Sequence, residues 1–508
     1  MKHLKPSKLK IHLNIACKKS IQFFLKKFKN PHIIYISIII GSITAIYLNT
    51  LSFPFIWDDL ELIVANPFIQ KLSNILHIFT RSAFGEDFSS KSFYRPIQIA
   101  SYMIDYKLYG LNPAGFRISN IVISIMSGII SYRILIHFQF SSILACLLSL
   151  LFSLHPLQIE TITYLSGRGD TLYILFCLLT CLLFLKPSKK KLILASITML
   201  IAILTKENSV SFPLILWIIA YVYKQKNTIK TASILLIISS IYSLFRIIYP
   251  STHKTLSWIE QASFYEQIAT LPYIITKYIT LVFFPYPLHM EYHTVIQSIA
   301  NSYVLSSIAL ISIIILPLAI LKQKKLYSIG LSWFFICLLP VSQLAIPLSA
   351  TLREHWASLA LFGFIISYGV IIKRIYKYYP KIILSILLIQ ILCLAGTTWH
   401  RNQFWKDPIT LYSNDLKYEP KSFIMLNNLG YNYFLKQDTD KAKQYFQQAI
   451  YNSPQHGYSV ALNNLGVIYE IENNLPLAKL YYEKSIKAGK YKLAYKNLDR
   501  LLKLEKNN

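Results

Sequence analysis

From residue 32 to residue 399 the chain alternates long apolar runs with short polar stretches, and most runs approach the length of a bilayer-crossing helix. The pattern predicts eleven spans, at 32–49, 114–136, 140–155, 170–186, 191–205, 209–224, 231–249, 302–321, 326–346, 356–373 and 381–399. A further apolar stretch, 266–290, reads as a re-entrant or interfacial helix, because counting it as a span would invert every loop downstream. Beyond residue 400 the runs shorten and become amphipathic. One loop stands out by its length, between the first two spans at roughly 50–113.

The C-terminal segment contains a repeat. Leu426-Asn427-Asn428-Leu429-Gly430 returns as Leu462-Asn463-Asn464-Leu465-Gly466, a spacing of 36 residues. The first copy also places Tyr433, Ala442, Phe446, Ala449 and Pro454 where the tetratricopeptide pattern of about 34 residues wants small and large residues. The second copy keeps Tyr469, Ala478 and Tyr482, and His456-Gly457 supply the two extra positions. Repeats are therefore expected at about 423–456 and 459–492. Pro408, Tyr412 and Pro420 mark the remains of an earlier one, and a Leu493–Leu504 helix closes the stack. The expected fold is all-α, a polytopic helical membrane bundle followed by a small tetratricopeptide solenoid.

Charge orients this architecture. The net charge of +29 would fit a nucleic-acid binder, but its placement argues otherwise. Residues 1–31 carry nine lysines and no acid, and further basic clusters occupy short loops at Lys186–Lys191, Lys224–Lys230, Lys322–Lys325 and Lys373–Lys381. The positive-inside rule assigns those loops and the N-terminal arm to the cytoplasm, so the arm reads as a membrane-orientation signal rather than a nucleic-acid clamp. The thirteen carboxylates before residue 400 then all fall on the opposite side: Asp58, Asp59, Glu61, Glu86, Asp87, Asp105, Glu160, Asp170, Glu207, Glu260, Glu266, Glu291 and Glu354. A composition 54% hydrophobic excludes a soluble protein of this size. The six cysteines lie in spans or in the basic arm, which argues against a disulfide framework and a thiolate metal site.

The chemistry suited to that outer side centres on Trp57-Asp58-Asp59, just beyond the first span. A carboxylate held at the membrane surface is placed to accept a proton from a hydroxyl, and a second beside it to orient the first or raise its pKa. The bland reading is helix capping: Asp58-x-x-Glu61 fits an acidic variant of the capping box, and taken alone it is the better bet. His155, Glu160, Arg168, Asp170, Lys206, Glu207, His289, Glu291, His293, Arg353, Glu354 and His355 also sit at outer span ends. Singly, each reads as a salt-bridged or snorkelling group; together they converge on one face. His289-x-Glu291-x-His293 does not have the spacing of a helical ligand pair, and a structural role outweighs a metal site there.

These motifs carry a resemblance. The series is Phe55-Ile56-Trp57-Asp58-Asp59, Tyr94-Arg95-Pro96, Tyr109-Gly110-Leu111-Asn112-Pro113, His155 to Glu160, Gly167-Arg168-Gly169-Asp170, Thr205-Lys206-Glu207-Asn208 and Glu354-His355. With the repeats, it resembles the transmembrane and tetratricopeptide-repeat proteins related to O-mannosyltransferases, within the GT-C class of integral-membrane glycosyltransferases. The resemblance implies an inverting transfer of sugar from a polyprenyl-phosphate donor to a hydroxyl. The acceptor would be Ser or Thr of an exported protein, or a glycan. Asp58 would be the catalytic carboxylate, and Asp59 would assist in orienting the acceptor or a metal. Arg95, Arg168, Lys206 and Arg353 are the candidates for the donor phosphate. Trp57, His155, Glu160, Asp170, Glu207, Glu354 and His355 would line the site. One departure is Arg353-Glu354-His355-Trp356, where relatives often carry Glu, a basic residue and an aromatic. No cofactor is implied beyond a possible divalent metal. Membrane lipid and a protein partner through the repeats complete the expected partners. Lys- and Ile-rich usage points to a bacterial inner membrane with periplasmic repeats. Two other classes compete: a membrane-anchored repeat scaffold for an envelope complex, and a transporter, which would need mid-membrane charges and internal symmetry.

Overall fold

The computed structural model describes residues 31–80, 94–248, 259, 262–296, 298, 301–316, 324–344, 348–489 and 491–507. The basic arm up to Asn30, Cys17 within it, and Glu86, Asp87, Glu260, Lys322 and Gln323 lie outside the described residues.

Each of the eleven predicted runs is occupied by a helix. In chain order the bundle consists of α1 (Pro31–Tyr47), α2 (Pro96–Tyr109), α3 (Pro113–His137), α4 (Ser142–Ser153), α5 (Arg168–Leu185), α6 (Lys189–Thr205) and α7 (Phe212–Val222). It continues with α8 (Lys226–Ile248), α9 (Phe264–Phe283), α10 (Ser302–Ile315), α11 (Lys324–Leu338), α12 (Ser358–Tyr376) and α13 (Pro380–Asn402). Among the described residues seven helical stretches are long and apolar enough to cross a membrane, and an eighth forms if α4 is joined to Pro156–Ile162 across a 55° bend. The remainder are shorter for a visible reason. α6 stops at Thr205 and the polar Lys206-Glu207-Asn208 turn into a 3-10 segment, Glu207–Ser211, before α7 begins. α9 is not among the seven; it opens on a reciprocal capping box between Ser263 and Glu266 and packs on α10.

α3, α4, α5 and α12 form the centre of the bundle; α1 packs on α3 and α4 and α13 on α4 and α12 at its edge, and α5–α6, α7–α8 and α11–α12 are paired. Between apolar faces, small hydroxyl residues join neighbours: Ser131 and Ser149 are 2.8 Å apart, as are Thr180 and Thr198. At one end of the bundle His32 meets the Tyr132 hydroxyl at 2.6 Å and Lys373 donates to the Gln139 carbonyl at 2.6 Å. That basic end also holds a cavity of about 550 Å³ lined by His32, Gln139, Lys373 and Tyr376. Asp58, Asp59, Glu160, Asp170, Glu207, Glu291 and Glu354 gather at the opposite end.

The described parts of the long loop between α1 and α3 are folded. Short helices Leu60–Val64, Pro67–Gln70 and Leu72–Phe79 pack with α2 around Leu62, Ile63, Ile69, Ile78, Ile99, Tyr102, Met103, Phe116 and Leu165.

After α13, helix α14 (Pro408–Leu416) is the predicted remnant of a first repeat. α15 (Phe423–Leu435) with α16 (Thr439–Asn452), and α17 (Ser459–Ile471) with α18 (Leu475–Gly489), are the two predicted repeats, closed by α19 (Lys492–Asn507). The small positions work as the pattern requires. A Cβ on Gly430 would stand 2.9 Å from the Phe446 ring, and one on Gly466 2.6 Å from Tyr482. Among the described residues the one β feature is an isolated antiparallel bridge between Tyr292 and Leu352.

Candidate active site

The first loop is fastened to the bundle through Asp59 and Arg117. Arg117, buried on α3, donates to the carbonyls of Phe53 and Pro54 and so holds the strand leading to Trp57. Asp59 is 1% exposed. Its Oδ2 accepts from the Ile56 amide at 3.1 Å, and its Oδ1 accepts from the Ser166 amide at 2.8 Å and the Ser166 hydroxyl at 2.6 Å. Burial pushes this carboxyl up to about 6, against the pull of the Ser166 and Ile56 bonds and of Arg117. The turn it grips is tight: a Cβ on Gly167 would stand 2.1 Å from the Glu160 carbonyl oxygen. Asp59 therefore ties the loop to the 160–168 turn.

The capping reading of Asp58 does not hold. Helix Leu60–Val64 follows Asp59 with no side-chain cap bond. The Asp58 side chain is half-buried and free of ion pairs among the described residues. The Tyr164 phenol, Arg353 and Glu291 surround it, and burial raises its carboxyl above the ordinary value despite Tyr164 and Arg353. Trp57 sits in the left-handed region at φ 59°, a conformation that is uncommon for a bulky side chain. This turns its ring onto Tyr164, with centroids 5.8 Å apart, and under Arg353, whose guanidinium carbon is 5.5 Å from the ring centroid. Tyr164 continues the stack to Trp405 at 5.2 Å.

Around this aromatic stack the other predicted residues fall into pairs, all at the same end of the bundle. Arg95 donates through Nε to Glu207 at 3.1 Å and again through Nη2. Lys206 holds both oxygens of Asp170 at 2.7 and 2.6 Å. His355 contacts Glu160 through Nδ1 and lies 4.0 Å from Asp170 through Nε2. Glu354 accepts from the His289 amide at 2.6 Å and from the Tyr292 hydroxyl at 3.1 Å. His155 caps the turn at Pro156, accepting from the Leu157 amide at 3.2 Å, while its other nitrogen meets the Val282 carbonyl at 3.1 Å.

Of the four cations expected at a donor phosphate, the geometry separates one. Arg168 is saturated by Asp105, by Asn120 at 2.7 Å and by the Phe116 carbonyl, and is stacked on Tyr102 and Phe116. Lys206 is clamped on Asp170 and Arg95 on Glu207. Arg353 binds Glu291 and, at 3.2 Å, Ser349 through Nη2 alone, and its buried Nε has no hydrogen-bond partner. Beside it the Glu160 Oε1 and Trp405 Nε1 are likewise buried and unpartnered. A group of polar atoms left unsatisfied around one aromatic stack is what a site awaiting a polar ligand presents.

Sequence reasoning passed over four members of this cluster. Tyr164 and Trp405 look like ordinary aromatics in the sequence, and nothing local marks them. Arg401, in the last turn of α13, pairs with Asp415 of α14 at 3.0 Å, and span topology already placed residue 401 on the acidic side. Glu291, placed among the converging outer-end residues but given no role at the site, is the partner of Arg353; burial pushes it up, but Arg353 and His293 outweigh this and hold it below the ordinary carboxylate value. Among the described residues no group of three or more His, Cys, Asp or Glu is arranged to hold a metal ion.

The repeats join this site directly. Phe53, Ile56, Ile159, Tyr164 and Met290 share one apolar cluster with Trp405, Leu411, Tyr412, Met425 and Leu429. Asp415 Oδ2 also accepts from the Met290 amide at 2.8 Å.

Fold and site together define an integral membrane protein whose helical bundle carries a tetratricopeptide stack on its charged end. The tetratricopeptide repeat family model matches residues 421–490. Over most of its length the chain is similar to proteins of the transmembrane and tetratricopeptide-repeat O-mannosyltransferase family, so the resemblance seen in its motifs is borne out. It is 25% identical to the Caenorhabditis elegans protein O-mannosyl-transferase F38B6.6 over 76% of this chain and 58% of that relative. It is 23% identical to the human protein O-mannosyl-transferase TMTC3 over 82% of this chain and 51% of the relative. A shorter match, 31% identical over 149 residues, links it to human TMTC2. The chain thus spans between half and three-fifths of the length of the first two relatives.

Proposed function

We propose that this protein is a glycosyltransferase that moves a sugar from a polyprenyl-phosphate donor to a Ser or Thr hydroxyl of a polypeptide, with Asp58 as the base. The observation that carries the reading is the contrast at the site. Asp59, Glu160, Asp170, Glu207, Glu291 and Glu354 are each bound to a neighbouring donor, while Asp58, beside the Tyr164 phenol, makes no ion pair among the described residues and stands half-open next to an arginine with an unused N–H. The likeness to proteins named as protein O-mannosyl-transferases supports the reaction class.

In the proposed step, Asp58 takes the proton of the acceptor hydroxyl as its oxygen bonds to the anomeric carbon. The bond from that carbon to the donor phosphate oxygen breaks, and its electron pair leaves with the polyprenyl phosphate. One displacement inverts the anomeric centre. Arg353 faces the phosphate as negative charge grows on the leaving oxygen, and Trp57, stacked on Tyr164 and lying beneath Arg353, holds that guanidinium in place. Asp59 and Glu291 hold Asp58 and Arg353 in register. The site would face the outside of a bacterial inner membrane, with the repeats in the periplasm and the basic end in the cytoplasm.

The test is transfer of radiolabelled polyprenyl-phosphate mannose to an unfolded Ser- and Thr-containing polypeptide by the protein in lipid, followed by assignment of the anomer. Inverted product supports the reading; retained configuration contradicts the single displacement. No transfer with a donor validated on a control enzyme returns the scaffold reading.

A further inference from the structure

Four helix ends meet around the cavity at the basic end of the bundle, far from the site just described. His32 in the first turn of α1, Ile136 in the last turn of α3, Gln139, Ser141 and Ser142 in the turn to α4, and Lys373 and Tyr376 in the last turn of α12 enclose about 550 Å³. That volume lies within the roughly 300–1,000 Å³ of small-molecule sites. The Lys373 ammonium has three N–H; one goes to the Gln139 carbonyl at 2.6 Å, and the Phe140 ring centroid lies 5.5 Å away. Capping the end of α3 accounts for that bond and leaves the charge unanswered. α1, α3, α4 and α12 contain no Asp or Glu, so no helix walling the cavity supplies a carboxylate. Arg374 and Lys377, exposed and next in sequence to Lys373 and Tyr376, add to the positive charge. A half-buried cation in such surroundings is stabilised by an anion from outside the bundle.

The shape and depth of the cavity narrow the choice of anion. One turn deeper on α12, a Cβ on Gly369 would stand 3.0 Å from the Phe140 ring and 2.7 Å from Leu148, so α12 and α4 close the floor. Ile136, Phe140 and Leu144 make part of the wall apolar. Ser141, just before α4, makes no side-chain cap bond, so the first-turn amides of α4 add their partial positive charge at the wall. Because helix ends bound it, the cavity lies at the depth where bilayer headgroups begin, and Ile34 and Ile38 of α1 are exposed beside it at the depth of lipid tails. The chain's own arm is the wrong occupant: residues 1–31 carry nine lysines and no acid, and cannot bring the missing negative charge.

We propose that this cavity binds the phosphate headgroup of an anionic phospholipid from the leaflet at the basic end, with Lys373 on the phosphate and the glycerol portion against Ile136 and Phe140. The lipid provides the counter-ion that no wall provides, and it ties α1 and α12 to the turn between α3 and α4. The site lies at the opposite end of the bundle from Asp58 and stands or falls apart from the transfer reading.

The experiment is native mass spectrometry of the full chain released from detergent micelles and titrated with phosphatidylglycerol, phosphatidylcholine or inorganic phosphate. Phosphatidylglycerol should fill one site about tenfold or more tighter than phosphatidylcholine, whose choline neutralises its phosphate. Lys373→Gln should raise the Kd for phosphatidylglycerol about tenfold, the loss of one charge-assisted contact, and Lys373→Arg should restore binding. Ser141→Glu sets a carboxylate at an exposed point of the rim and should weaken binding as much while leaving Lys373 in place. Lys190→Gln, an exposed lysine at the start of α6, should bind as the wild type does. Binding indifferent to Lys373→Gln and Ser141→Glu overturns the site, as does an equal loss in Lys190→Gln, which would reduce it to general surface charge. Inorganic phosphate binding as tightly as phosphatidylglycerol would make the ligand a soluble phosphate and overturn the lipid.

Discussion

Docking of the repeats on the bundle hinges on a buried ion pair, and Asp415→Ala removes it. Arg401 is 3% exposed and Asp415 is 2% exposed. The substitution strips Arg401 of its nearest counter-ion at 3.0 Å and leaves the Met290 amide without its 2.8 Å acceptor. Removing one partner of a buried pair costs about 3–5 kcal/mol, because the remaining charge stays desolvated. Glu160 and Glu354 also attract Arg401 and soften the loss, while the orphaned amide adds to it. The net expectation is about 3 kcal/mol. At about 1.4 kcal/mol per decade, that multiplies the undocked population roughly 150-fold. Trypsin cleavage at Lys406, in the connection Gln403–Lys406 between α13 and α14, reads that population under native conditions. Arg401→Met combined with Asp415→Leu should recover most of the stability, since it leaves no charge unpaired. Cleavage of Asp415→Ala within twofold of wild type would refute the reasoning, as would a double variant more labile than either single one.

Other outcomes follow from the same geometry. Burial raises the Asp58 carboxyl, and a base must be ionised to act, so kcat/KM should climb with pH along a limb displaced above the ordinary 3.8. Arg353→Gln removes a cation that lowers the carboxyl and should move that limb further up; a limb that stays in place removes Arg353 from the site's electrostatics. The same variant should lower kcat by about 10²–10³-fold if Arg353 faces the leaving phosphate, and a loss confined to KM would assign it to binding alone. Gly167→Ala sets a methyl 2.1 Å from the Glu160 carbonyl and should destabilise the 160–168 turn by about 2 kcal/mol or more, read as a lower Tm; an unchanged Tm would show that the turn yields freely.

Much of this architecture was legible because it rests on local pattern. An apolar run of span length becomes a helix whatever it packs against, and Gly430 and Phe446 announce a paired repeat because their sizes must match. The gathering of carboxylates at one end followed from topology alone. The pairings within that end did not, because they depend on residues far apart in sequence: Arg168 meets Asp105, 63 positions away, and His355 meets Glu160, 195 away. The Asp58-x-x-Glu61 spacing pointed to a cap, yet Asp59 bonds instead to Ser166, 107 residues on, and Asp58 is left for other work. The break at Lys206-Glu207 was legible too: the expected spans 191–205 and 209–224 part there, and the helices end at Thr205 and resume at Phe212.

The most direct measurement is sugar transfer by wild type and Asp58→Asn, purified into lipid and matched for abundance and Tm, with labelled polyprenyl-phosphate mannose and an unfolded polypeptide acceptor. Asn keeps the size of the side chain and removes its basicity. Transfer by the wild type, with a loss of about 10³-fold or more in the variant, is the predicted result. Equal transfer by both would remove Asp58 from the mechanism and contradict the account at its centre.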